Sequence, residues 1–439
     1  MRRLMERVGL GRRDLRAWAM YDWANSAVQT TIVAAIFPIY FQKVAAAGMS
    51  GPVATSRFAW ATTIAILIVA VIAPLLGAVA DYAAVKKRLL AVFLAVGASA
   101  TAAMFFITRG DWQLALILFV IANIGVAGSI VFYESLLPHL VGGKDLDRVS
   151  TAGYALGYLG GGVLLAINIL MMSKPAWFLL PSRDVAIRAS FASVAVWWVV
   201  FSIPLFRYVP EPARRPDRNE RGERPEGHAL VTAGRRLLET LRELRRYRQA
   251  FLLLLAFLLY NDGIQTIIRM ATTYGTEIGI DENAMIGALL ITQFIGVPFG
   301  FLFGFFAAKV GAKQAVFVGL MAYSIITILG YFMRTAAHFF ALAIMVGMVQ
   351  GGTQALSRSL FASMVPKHKS SEFFAFFGVF ERYAGILGPA LFAWVVAHSG
   401  TGRNAILSVL VFFILGGAML TLVDVDSGRR AAREAERTI

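Results

Sequence analysis

Apolar runs of close to twenty residues, separated by short polar intervals, follow one another along the chain from residue 17 to residue 423. A helix that crosses a bilayer needs about twenty mostly apolar residues, because a rise of ~1.5 Å per residue must cover a hydrocarbon core of ~30 Å. On that measure, spans are expected at residues 17–41, 58–80, 89–108, 114–137, 150–172 and 186–206, and again at 250–275, 284–308, 314–333, 339–365, 373–397 and 405–423. The runs are continuous and do not alternate, so they read as helices and exclude the short alternating strands of a membrane barrel. The long polar interval at 209–248 separates the first six from the last six. The pattern thus predicts an all-α membrane protein of twelve transmembrane helices in two six-helix bundles, at 1–208 and 249–426, with a linker at 209–248 and a tail at 427–439.

Composition agrees, since 58% of residues are hydrophobic and only 15% charged, more apolar surface than a soluble domain can bury. A net charge of +16 would point a soluble protein towards nucleic acid. Its distribution removes that partner: about 31 of the 42 Lys and Arg lie on the side of the two termini, about 8 on the other side and three inside spans. By the positive-inside rule both termini are cytoplasmic. The first span has the full crossing length and follows six arginines, unlike the short apolar core of a cleaved signal peptide, so it is expected to be retained. With no cysteine, disulfides, thiolate chemistry and Cys-type zinc sites are excluded. Residues 210–227, rich in Pro, Arg and Glu, are expected to be disordered. Leu230, Leu237, Leu241 and Leu244, among arginines, suit either an interfacial helix or a solvated helical linker.

The two halves echo each other. Gly77 and Asp81 followed by Lys86, Lys87 and Arg88 correspond to Gly304 followed by Lys309 and Lys313; Glu134-Ser135-Leu136 corresponds to Arg358-Ser359-Leu360 with the charge inverted; Gly157 and Gly160 correspond to Gly385 and Gly388. Small residues at such spacing let helices approach closely. The Gly77 to Asp81 turn with its basic cluster resembles the cytoplasmic signature of major facilitator transporters, although Ala84 stands where that motif has its second glycine. The segments Trp18 to Ser26 and Tyr260 to Thr266 are similar to the autophagy-related vacuolar amino-acid effluxers and their bacterial relatives. This resemblance implies a monomeric secondary transporter in the plasma membrane that exports small amino acids with proton coupling and uses no cofactor. It also implies a central cavity lined by the first, fourth, seventh and tenth helices.

Ionisable groups inside a span need a reason, because each costs a few kcal/mol in hydrocarbon. The clearest are Asp22, Glu134, Asp262, Arg269, Arg358, Glu381 and Arg382. Asp22, Asn25, Ser26 and Gln29 share one helical face, as do Asp262, Gln265, Thr266 and Arg269, and as do Gln350, Gln354 and Arg358; Asn123 joins Glu134 in the fourth helix. These stripes fall on the four helices that the resemblance puts around the cavity. A zwitterionic solute would use Arg269 or Arg358 for its carboxylate, and Asp262, Asn261 or Gln265 for its amine. Asp22, Glu134 and Asp262 are candidate proton carriers. The alternative for each is structural pairing across the helix interface. Asp81, Lys86, Lys87 and Arg88 are expected to gate the cytoplasmic end, with Glu381 and Arg382 structural or gating. Trp18, Tyr21 and Trp23 are expected in the interfacial belt.

An ATP-driven pump is disfavoured for want of a phosphate-binding Gly-x-x-x-x-Gly-Lys-Ser/Thr loop. An enzyme is disfavoured because His139, His228, His338, His368 and His398 form no zinc-binding pattern. A lipid or lysolipid flippase and a non-transporting receptor or scaffold stay open as alternatives to transport of a small polar solute.

Overall fold

The computed structural model describes residues 2–49, 84–142, 144–212, 247–399 and 401–437, with isolated positions between 57 and 80. The second expected span therefore lies largely outside the described residues, as do Asp81, the side chain of Arg382 and linker residues 213–246 with Leu230 to Leu244. Every regular element among the described residues is helical. Among the described residues, ten helices are long and apolar enough to cross a bilayer, from Arg13–Ala45 to Gly402–Thr421.

Boundaries follow the hydropathy, with the helices extending a turn or so further. The fourth span is Trp112–Leu140 and the tenth Ala336–Met364, each of 29 residues. At ~1.5 Å per residue these are about 43 Å long, enough to reach beyond the hydrocarbon core on either side. The first span departs from a regular helix: its Arg13–Ala27 segment passes into a π-helical stretch, Val28–Ala35. The eleventh span is in two pieces, Ser370–Tyr383 and Leu387–Ser399, where one continuous helix is expected from hydropathy. Gly385 sits in the break with φ +96°, a conformation that requires glycine.

Burial separates inner from outer spans. The first, fourth, seventh and tenth bury 59, 56, 61 and 56% of their apolar window inside the protein, against 39% for the third, sixth and twelfth. The outer spans turn Val92, Val196, Ile203 and Ile414 outward, as a lipid-facing surface requires.

The halves meet through glycine. Gly296, Gly300 and Gly304 recur every fourth residue along the eighth span, Glu282–Val310, and face the fifth span, Lys144–Ser173. A Cβ at Gly296 would stand 3.1 Å from the Tyr158 ring, one at Gly300 would stand 3.0 Å from Ala155 Cβ, and one at Gly304 would collide with Thr151 Oγ1. Within the first half, Gly157 and Gly160 bring the fifth span onto Ser26 and Trp23 of the first, the close contact expected from their spacing. In a bilayer such contacts work through van der Waals packing, with no hydrophobic drive between helices. Gly300→Leu is therefore expected to force the halves apart at a cost of about 1–3 kcal/mol, read as a fall in Tm of the purified protein.

Candidate transport site

Arg358 is the centre of the polar structure. It projects from the tenth span, is only 1% exposed, and reaches across to the other half of the molecule. Its Nη2 lies 3.4 Å from Asp22 Oδ2 in the first span, and its Nη1 3.6 Å from Glu134 Oε1 in the fourth. Its Nε donates to Ser150 Oγ at 3.0 Å, and Nη2 to Ser150 O at 2.9 Å, in the fifth. Three rings enclose the guanidinium, with centroids 4.4 Å (Tyr154), 5.1 Å (Trp18) and 5.9 Å (Tyr133) from Cζ. The Glu134 and Arg358 positions matched in the internal repeat are thus an ion pair across the pseudo-two-fold axis.

Local structure holds this cage. Trp18 stacks on Tyr133 at 4.6 Å and donates its indole N–H to the Tyr133 carbonyl at 3.1 Å. The Tyr133 hydroxyl donates to Asp22 Oδ2 at 2.7 Å. Trp18 and Tyr21 are fully buried and Trp23 stacks on Trp197 at 5.5 Å, so Trp18 and Tyr21 are not belt residues as expected. The Trp18 ring faces a buried cation where a headgroup was anticipated, and Tyr21 packs on Tyr133 at 4.8 Å. Trp18 and Asp22 are one helical turn apart, and Tyr133 is adjacent to Glu134. That adjacency was the available signal for the cage.

Further along the axis, away from the termini, the tenth span continues its stripe. Gln354 donates to Asn261 Oδ1 at 3.3 Å, and Gln350 lines a cavity of about 190 Å³. The cavity reaches towards Tyr274, Met333 and Phe339 at the end of the bundle opposite the termini. Its polar side chains include Thr30, Thr292, Gln293 and Thr327; most of the wall is apolar, including Ile267, Ile268, Leu289, Leu342 and Val346.

Several expected residues stand elsewhere. Thr30, and not Gln29, lines the cavity, since the π-helical stretch beginning at Val28 changes the face that the first span presents. Asn123 donates within its own helix to the Phe119 carbonyl at 2.8 Å. Asn25 is buried with its Oδ1 lacking a hydrogen-bond partner among the described residues. Asp262 does not join the Arg358 cluster. It is fully buried and caps the break in the eleventh span, accepting the N–H of Gly385 at 2.5 Å and of Gly388 at 3.1 Å. Arg269, partly exposed, reaches the Gly385 carbonyl at 3.5 Å, and Asn261 the Glu381 carbonyl at the same distance. Gln265, half-buried, packs with Arg269 under Gly385. Glu381 is half-buried.

Of the expected gate, Lys86 spans the two halves. It is 3% exposed, donates to Ser370 Oγ at 2.7 Å at the start of the eleventh span, and lies 3.1 Å from His139 Nε2 at the end of the fourth. Lys87 works within the first half, where its Nζ binds the carbonyls of Phe206 and Val209 at 2.9 and 2.6 Å; Arg88 is exposed. Deeper contacts reinforce closure at this end: Ser359 Oγ to Asp147 Oδ1 at 2.5 Å and Ser150 Oγ to the Ala355 carbonyl at 2.8 Å. The molecule is therefore closed at the end carrying the termini and hollow towards the other.

Known proteins match this geometry over nearly the whole chain. Residues 11–433 fit the family model described as vacuole effluxer Atg22 like. The MFS-type transporter YxiO of Bacillus subtilis, itself uncharacterised, is 34% identical, over 95% of this chain and 96% of its own length. Autophagy-related protein 22 of Yarrowia lipolytica is 28% identical over 66% of this chain and 52% of its own. Among solved structures, the proton:xylose symporter XylE aligns with TM-score 0.69 at 14% identity, covering 94% of this chain and 95% of its own. The transporter FucP in its outward conformation aligns with TM-score 0.68 at 13% identity, covering 94% and 100%. The four-helix core, the inter-half closure and these relationships converge: the chain belongs to the Atg22-like family of major facilitator transporters.

Proposed function

We propose that this transporter exports small amino acids from the cytoplasm across the plasma membrane in exchange for protons, with Asp22, Glu134 and Arg358 as its coupling centre. The observation that carries the reading is a buried arginine of one half held by two carboxylates of the other. Two carboxylates and one guanidinium leave a net negative charge in low dielectric, and one proton neutralises it. Proton occupancy then changes how tightly the halves are held together at the end bearing the termini. Alternating access needs such a differential, since a ligand shifts a conformational equilibrium only by binding its two states unequally. With the termini in the cytoplasm, as the loop charges favour, the structure is the state closed to the cytoplasm. The cavity beneath the cluster receives the solute, with Gln350, Thr292 and Gln293 as polar contacts on its wall.

Proteoliposomes test this with labelled amino acids, with and without an imposed pH gradient. Glu134→Gln is expected to lose gradient-driven flux by about tenfold or more. Absence of amino-acid flux with folded wild-type protein would sink the substrate class. The predominantly apolar cavity wall supports a second reading, movement of a lipid or lysolipid, and transfer of a labelled lipid by the same vesicles would then take its place.

A further inference from the structure

We infer that the cage around Arg358 is a binding site for an organic cation, an alkylammonium or guanidinium group, and that Arg358 is its tethered occupant in the closed state. All the groups that hold the guanidinium side chain (Asp22, Glu134, Ser150, Trp18, Tyr133 and Tyr154) belong to the first half, whereas Arg358 comes from the second. When the halves separate at this end, the cage stays with the first half and loses its cation. It does not depend on Arg358 for its shape, because the Trp18 to Tyr133 and Tyr133 to Asp22 hydrogen bonds tie its walls to one another. Two carboxylates beneath aromatic faces match the chemistry that recognises amines and guanidinium groups.

Arg358 also serves the cage incompletely. Its Nε and Nη2 are committed to Ser150 and Asp22, while Nη1 stays 3.6 Å from Glu134 Oε1. Glu134 Oε2, on a residue 3% exposed, has no hydrogen-bond partner among the described residues. A buried carboxylate oxygen without a donor is costly, and an untethered cation can turn its N–H groups onto it. A cationic ligand thus competes with Arg358, and binding it releases the second half. The inference deepens the transport reading by assigning the solute's amine to this cage, in place of Asp262, Asn261 and Gln265. It relies on that reading for its role in the cycle, not for the binding itself.

The chain has no cysteine, so one introduced at Ala355, fully buried where the tenth span accepts the Ser150 hydroxyl, reports opening. In detergent, millimolar methylguanidinium is expected to raise maleimide labelling of Ala355→Cys about fivefold, with no effect of urea at equal concentration and no response after Glu134→Gln. Should Ala355→Cys be poorly folded, Arg358→Ala offers a second route: methylguanidinium, not urea, raises its Tm, and Arg358→Ala/Glu134→Gln does not respond. Equal behaviour towards methylguanidinium and urea in a folded variant overturns the inference. A failure of amino-acid flux in vesicles would leave these binding results untouched, so the two proposals fall separately.

Discussion

Substituting Arg358 by methionine is expected to abolish transport and to lower stability by about 3–5 kcal/mol, a fall in Tm of about 5–10 °C. The size of the loss follows from what is left behind. Asp22 and Glu134 would remain buried at the junction without a cation, and the two hydrogen bonds to Ser150 would go with the guanidinium. Removing one partner of a buried ion cluster costs far more than removing the cluster as a whole, because the uncompensated charge keeps its desolvation penalty. The triple variant Asp22→Asn/Glu134→Gln/Arg358→Met is therefore expected to recover more than half of the lost stability while remaining inactive. Thermal unfolding of the four proteins, wild type, Arg358→Met, the Asp22→Asn/Glu134→Gln pair and the triple variant, measures this coupling directly. If the triple variant were no more stable than Arg358→Met, the cluster would not be held together electrostatically.

Much of this architecture could be read from the chain because hydrocarbon punishes exceptions. A span must be continuously apolar, so the expected 114–137 falls inside the observed helix Trp112–Leu140, and 339–365 matches Ala336–Met364 to within one residue at its C-terminal end. A charge within a span must be compensated, so Asp22, Glu134 and Arg358 stood out, and the match of Glu134 with Arg358 in the parallel repeat, with the charge sign exchanged, indicated equivalent depths. That the two meet across the axis depends on the closed state of the molecule, which no local pattern encodes. The break at Gly385 was hidden for a different reason: Ala384, Gly385 and Ile386 are as apolar as the helices they separate, and hydropathy does not register a positive φ. Trp18 was misplaced because the same amphipathic ring suits a headgroup and a buried guanidinium equally, and Tyr21 because it packs on Tyr133 of that cage.

The break matters because the inner piece of the eleventh span, Ser370–Tyr383, belongs to both halves. Its first residue, Ser370, is held by Lys86 and donates to the Ser135 carbonyl, contacts in the first half. Phe377 stacks on Phe257 and Phe361 in the second half at 4.6 and 5.1 Å. A helix anchored to both halves must shift relative to one of them when they rock, and a hinge at its far end separates that motion from Leu387–Ser399.

Asp262 is the clamp on that hinge, and Asp262→Ala is expected to be the second most damaging change. The carboxylate accepts the N–H of Gly385 and Gly388, which have no other helical partner at the start of Leu387–Ser399. Leaving two such donors unpaired inside the bilayer costs about 1–3 kcal/mol each. Asp262→Asn retains one acceptor oxygen and is expected to lose roughly half as much. Hydrogen exchange distinguishes this role from direct contact with solute: the amides at 385–388 should exchange at least about tenfold faster in Asp262→Ala, and to an intermediate extent in Asp262→Asn, with kcat falling more than KM rises. A solute ligand would give the opposite pattern, a raised KM in Asp262→Asn with protection at 385–388 unchanged. The carboxylate sits against backbone amides and away from the Arg358 cage, so its loss should free the lower part of the eleventh span while leaving the methylguanidinium response of the cage intact.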